Sequence, residues 1–173
     1  MALLVSGATG VRPAHAAAIQ SNFNLGISMF QQPDSGLISQ GGYFLHFQVQ
    51  PRDRWIRPTY GAHVEASFGA NRLLNGSMMG GAELVALTAV YIKPFLGAQG
   101  LFGMANLDKD SNTYLGLIFG AILTTGAEIR LTDKEKSTAL RITSFFRFCS
   151  GTVGGGVKGS DLNTLGIGMG FTF

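Results

Sequence analysis

The chain is short of charge and of cysteine. Only 13% of its 173 residues are Asp, Glu, Lys or Arg, against roughly 25% in an ordinary soluble domain. The lone cysteine, Cys149, excludes an internal disulfide framework, and no Cys or His spacing of a metal site is present. Cys149 therefore reads as a small residue inside a strand. Uninterrupted apolar runs are also missing. The longest candidate, 114–123, falls short of the roughly 18 residues of a transmembrane helix and contains two glycines, Gly116 and Gly120. The net charge is +3 and the pI about 9.2, but the basic residues do not gather with aromatics on one patch, so nucleic-acid binding is not indicated. Gly154-Gly155-Gly156 precedes no helical pattern and lacks the Lys-Ser/Thr of a phosphate loop. No cofactor and no metal is expected.

What is present is alternation. In 165–173, Leu165, Ile167, Met169, Phe171 and Phe173 take every second position, and Gly166, Gly168, Gly170 and Thr172 take those between. A period of two is a strand with one apolar and one small or polar face. Seven earlier segments repeat it, at about 22–31, 42–50, 56–68, 81–92, 95–105, 114–131 and 138–150. The connections are expected around Pro33–Gly36, Pro51–Arg54, Gly69–Ser77, Lys93-Pro94, Asn106–Asn112, Thr132–Ser137 and Gly151–Asp161. Pro58 is placed near the start of its strand or at an unpaired position. The facing of 95–105 is ambiguous, because both parities carry apolar residues and glycines.

Eight strands of about ten residues suit a tilted crossing of a bilayer. Low charge, 25 glycines and no helical span fit the same solution, in which a closed sheet pairs every backbone group. The competing architecture is a soluble barrel with its apolar face inward, like a lipocalin. The charged residues favour the membrane form. Arg57, Glu65, Glu83, Glu128, Arg130, Arg141 and Arg147 all fall on the polar parity, shared with glycines, as a narrow lumen filled by side chains requires. These charges should pair, Glu128 or Glu65 with Arg141, Arg147 or Arg57, because an unpaired buried charge costs several kcal/mol. His63 shares a face with Glu65, and His46 lies on the neighbouring strand. Such a set can bind metal or move protons, but its spacing is nonspecific and fits a structural network.

The terminal strand resembles the last strand of bacterial outer-membrane barrels, whose closing aromatic belongs to an assembly signal. That resemblance implies an all-β, eight-stranded antiparallel transmembrane barrel over 17–173 and an assembly role for Phe171 and Phe173. An even strand count places both termini in the periplasm. The connections at 51–54, 93–94 and 132–137 would then be short and periplasmic, and those at 69–77, 106–112 and 151–161 longer and external. Residues 1–16 read as part of a signal peptide. Ala14-His15-Ala16 is a small-x-small cleavage site, and the absence of a basic segment before it suggests a start further upstream.

A second resemblance covers roughly the last 80 residues. Tyr91-Ile92-Lys93-Pro94-Phe95-Leu96-Gly97-Ala98, then 126–131 (GAEIRL), then Leu140-Arg141-Ile142, is similar to the second half of the outer-membrane lipid A deacylases. Phe148-Cys149-Ser150-Gly151, with Gly159-Ser160-Asp161 downstream, echoes that family's His-x-Ser-Asn strand end and later acidic residue. The resemblance implies an ester hydrolase with Ser150 as nucleophile and Asp161 as orienting acid. The chain departs where the base should stand. Phe148 occupies that position, and the histidines are His15, His46 and His63. Without an imidazole to take its proton, a serine is a weak nucleophile at neutral pH.

The expectation is therefore a non-enzymatic barrel of a Gram-negative outer membrane, with a charged, plugged lumen and outer loops that carry a structural or partner-binding role. The alternatives are a divergent lipid A hydrolase and a narrow small-solute channel. Expected partners are outer-membrane lipid or lipopolysaccharide, the barrel-assembly machinery during biogenesis and an envelope protein.

Overall fold

A computed structural model describes residues 18–31, 41–52, 54–67, 71–86, 91–131 and 138–173. The chain forms strands β1 (Ile19–Phe30), β2 (Gly41–Pro51), β3 (Ile56–Ser67), β4 (Arg72–Val85), β5 (Ile92–Lys109), β6 (Asn112–Arg130) and β7 (Ala139–Gly154). A two-residue strand β8 (Val157–Lys158), a 3-10 turn η1 (Gly159–Leu162) and strand β9 (Thr164–Thr172) follow. Each long strand pairs antiparallel with the next. β7 passes over β8 to pair with β9, and β9 pairs with β1 from Asn22↔Thr172 to Phe30↔Thr164. The sheet thus closes into a ring of eight strands, with the first and last described residues at one end, here called the terminal end.

Burial settles the inside and the outside. On β9, Leu165, Ile167, Met169 and Phe171 are exposed, while Gly166, Gly170 and Thr172 are buried. The same phase runs round the wall. Leu25, Ile27, Leu45, Met78, Leu96, Phe102, Leu117, Phe119 and Ile142 all stand exposed, with Phe102 at 61% and Met78 at 76%. Arg141, Glu83 and His63 are at 0% on the inner face. A soluble barrel would invert this arrangement. An apolar belt of this extent exceeds the patches a water-soluble monomer exposes, and it matches the outward face of a membrane barrel. Trp55, Tyr60 and Tyr91, amphipathic aromatics of the kind found at bilayer interfaces, stand exposed toward the terminal end.

Three expectations about boundaries are corrected. Residues 72–77, read as loop because Asn71, Asn75, Gly76 and Ser77 are turn formers, belong to β4, which ends at Val85. Its inner face is Leu73, Asn75, Ser77, Met79 and Glu83, and packing in the lumen overrides local propensity. Lys93-Pro94 is no turn. Both lie in β5, whose phase is now fixed: Lys93, Phe95, Gln99, Leu101 and Leu107 point in. The polar stretch 106–112 shrinks to Asp110-Ser111, both with positive φ (50° and 64°), as a tight hairpin requires, and the ladder runs to Lys109↔Asn112.

The expected contrast between short and long connections goes with these boundaries. Only 68–71 and 110–111 link two of the hairpins opposite the terminal end. The extension at that end comes instead from the 18 and 19 residues of β5 and β6. Pro58 and Pro94 are accommodated as strand-end prolines. The β2–β3 ladder stops at Val49↔Tyr60, and the β4–β5 ladder at Val85↔Phe95. The expected signal segment 1–16 and the turns at 33–36 and 132–137 lie outside the described residues.

Candidate functional site

The lumen is filled by side chains in layers, ordered along β3 and β7 from the terminal end. The first layer is an ionic quartet. Arg57 (β3) lies 3.0 Å from Glu128 (β6) and 3.8 Å from Glu83 (β4). Arg141 (β7) lies 2.7 Å from the same Glu128 oxygen and forms a close second pair with Glu83. Gln20 donates to Glu128 at 3.5 Å and Gln50 to Glu83 at 3.4 Å. The Arg141 guanidinium also sits 3.6 Å over the Phe95 ring, a cation–π contact that a desolvated site strengthens. Two arginines and two glutamates balance in charge, as a water-poor interior demands.

The second layer is aromatic and polar. His46 (β2) and His63 (β3) are direct cross-strand partners with ring centroids 5.8 Å apart. Phe44 stacks on His63, and Phe145 meets both Phe44 and His63 edge-on. Inward glycines make room for these rings. The three atoms nearest a Cβ built at Gly166 all belong to Phe145, and a Cβ at Gly168 would stand 2.6 Å from Phe44 Cζ. The ring nitrogens of both histidines have no hydrogen-bond partner among the described residues. Nor do three or more His, Cys, Asp or Glu side chains converge there as metal ligands.

The third layer joins Arg147 to Glu65 in a close ion pair. Asn75 bridges them, accepting from Arg147 and donating to Glu65, each at 3.1 Å. Arg147 also donates to the Leu162 carbonyl at 2.8 Å and to the Thr164 hydroxyl at 2.6 Å. The fourth layer is dry. Leu73, Leu101, Leu107, Ile118, Val153, Val157 and Leu162 form one apolar cluster with Tyr114 against it. Val157 and Leu162 come from the β8–η1 segment, which turns back over the mouth after three positive-φ glycines, Gly154, Gly155 and Gly156. This end of the barrel is closed by a lid whose inner residues are part of the core.

Of the residues expected to share the lumen, the structure brings together Arg57, Glu83, Glu128 and Arg141 in one layer and Glu65 with Arg147 in another. His63 lies between the two layers. Arg130 is not brought in. It stands exposed at the terminal mouth, two pairs beyond the Glu128↔Arg141 rung. Asn75, Thr164, Gln20 and Gln50 join these layers without a signal in the sequence. Asn75 falls among turn-forming residues, and uncharged polar residues at inward parity give no sign of their partners. Ser150 is exposed on the outer wall with Phe148, while His46 and His63 are buried on the inner one. The wall therefore separates hydroxyl from imidazole. Asp161 Oδ2 accepts the Lys158 backbone N–H at 2.7 Å, a local cap. Phe171 and Phe173 are exposed on the outer face.

No protein-family profile matches the chain, and no curated protein matches it in sequence. Among solved structures, Neisserial surface protein A matches 89% of this chain and 94% of its own with a TM-score of 0.68, at 16% identity. The fold is that of a small outer-membrane barrel. The likeness spans nearly the whole of both chains, so the match is to the complete ring rather than to a shared hairpin.

Proposed function

We propose that this protein resides in a bacterial outer membrane as a non-enzymatic barrel. In this reading its lumen is a structural plug, and its role is structural or partner-binding, exercised at the end opposite the termini. The observation that carries the reading is the pairing of an outward apolar belt with a lumen filled from end to end. An ionic quartet blocks the terminal end, and a fully buried cluster containing Val157 and Leu162 blocks the other. A channel needs a continuous wet path, and an eight-stranded interior is only wide enough for its own side chains. A serine hydrolase needs a base within hydrogen-bond reach, whereas Ser150 is exposed on the outer wall and the described histidines face the lumen. Contact with outer-membrane lipid, with the assembly machinery through Phe171 and Phe173, and with an envelope partner belongs to the same proposal.

The test is fractionation with cold and boiled gel migration of the expressed chain, followed by planar-bilayer recording. Heat-modifiable protein in the outer membrane and silent bilayers are expected. A soluble, detergent-free monomer would sink the membrane reading, and steady conductance would sink the plug. Lipid A from expressing cells should keep its acylation pattern by mass spectrometry; loss of an ester-linked acyl chain would restore the hydrolase.

A further inference from the structure

Between the quartet and the Arg147–Glu65 pair, two adjacent rungs of the inner wall carry amides and imidazoles. One runs from Asn22 (β1) through Gln48 (β2) to Gly61 (β3). The other runs from Gly170 (β9) through Asn24 (β1) and His46 (β2) to His63 (β3). The five polar side chains are at most 1% exposed. Thr172 donates to Asn22 Oδ1 at 2.7 Å and Thr143 to Asn24 Oδ1 at 3.4 Å, so the Nδ2 groups are the ends left over. Those two Nδ2 groups, both amide atoms of Gln48 and all four ring nitrogens of His46 and His63 have no hydrogen-bond partner among the described residues. Gly61 and Gly170 bring no side chain that could pair them. Leaving these eight buried polar atoms unpaired would cost about as much as a domain's whole net stability.

We infer that this layer is a binding site for a small cluster of internal waters, held by Asn22, Asn24, Gln48, His46 and His63. The atoms themselves select the ligand. Asn22 and Asn24 offer amide donors. Gln48 offers a donor and an acceptor, and a neutral imidazole presents one of each. A metal ion is bound by acceptors and would face the amide donors. An anion is bound by donors and would leave Gln48 Oε1 and one nitrogen of each ring unpaired. Water both donates and accepts. A buried water makes about three hydrogen bonds, so about three molecules serve the eight atoms. The cluster is enclosed. The quartet lies on its terminal side. On the other side are Phe44 and Phe145, both packed on His63, and the Arg147–Glu65 pair. The water is therefore a resident part of the plug and not a path through it.

The experiment uses the refolded, isotope-labelled full chain in non-ionic detergent, first checked for heat-modifiable migration so that its outcome is independent of where the protein resides. Rotating-frame NMR cross-peaks between water and the side-chain amide protons are read, because their sign separates bound water from proton exchange. Bound-water cross-peaks are expected at Asn22, Asn24 and Gln48. None is expected at Asn75, whose amide oxygen and nitrogen both have protein partners. A folded barrel without cross-peaks at the three amides overturns the site. So does a shift of those amides, or of the His46 ring signals, on adding EDTA or zinc chloride, which would assign the layer to a cation. Gln48→Leu removes a donor and an acceptor from the Asn22 rung. It should lose the Asn22 cross-peak while the folded band on cold gels persists. An Asn22 cross-peak at full strength in that variant overturns the sharing of water across the rung, and with it the cluster.

Discussion

Arg141 has the most exacting position of any side chain here. It is fully buried, holds both Glu83 and Glu128, and lies over Phe95. Arg141→Leu leaves two buried carboxylates with Arg57 alone, and breaking such a pair costs about 3–5 kcal/mol. The urea midpoint of the refolded barrel should fall accordingly. Adding Glu83→Leu restores charge balance and should recover part of the loss; a double variant no better than the single would show that the charge imbalance is not what destabilises it. Gly166 gives a steric counterpart. Gly166→Val places methyl groups in the Phe145 ring, an overpacking cost of about 1–3 kcal/mol. Phe145→Ala should rescue it, since the ring supplies all three nearest atoms. Failure of rescue would point to the strand pairing rather than the ring.

At the scale of elements, the lid is tied down from within. Arg147 reaches the Leu162 carbonyl, Asn163 Oδ1 accepts the Cys149 N–H at 2.8 Å, and the Gln31 N–H donates to the Asn163 carbonyl at 2.7 Å. Arg147→Gln should therefore loosen 155–163 before the barrel melts. Trypsin cleavage after the exposed Lys158 should speed up while the folded band on cold gels persists; unchanged cleavage would mean that Val157 and Leu162 hold the lid unaided.

The existence of the eight long strands is legible, because alternation runs through their segments and the charged residues keep to one parity, whereas the end of β7 and the short β8 fall in the glycine-rich stretch expected to be a loop. Boundaries were legible only where turn chemistry and packing agreed. At 72–77 they disagreed, and the inward Leu73, Asn75 and Ser77 prevailed. The dry layer was not legible. Ile118 and Ile122 sit inward on β6 among glycines, and a single strand cannot tell that its apolar inward residues meet Leu101, Leu107 and Val153 from elsewhere.

For the molecule as a whole, the solvent of the outer wall is the quantity to test. Ile167, exposed on β9 and paired with Ile27, lies mid-strand. In a bilayer, Ile167→Arg should destabilise by about 2–4 kcal/mol, and Thr152→Arg, near the strand end, by only about 0–1 kcal/mol. Folding titrations in lipid vesicles measure the difference. Equal and negligible effects would mean that the belt does not face hydrocarbon. Outside β5, whose facing the sequence leaves open, the polar faces follow the alternation of the strands, because a barrel has one inside and each strand's phase constrains its neighbours. The partition of that inside into neutral quartet, histidine layer, second ion pair and dry cap depends on register across strands, which no local pattern contains.

The inner face of β9 is nearly bare: two threonine hydroxyls and three glycines from Thr164 to Thr172. The six charges of the two ionic layers sit on β3, β4, β6 and β7. None belongs to β1 or β9, the two strands that meet to complete the ring. Each of these ion pairs among the described residues can accordingly form while the ring is still an open, curled sheet. What remains for closure is a backbone zipper between two strands lined by glycines and uncharged polar residues, save for Phe30. The seam can shut last, and reopen first, without separating a single opposite charge.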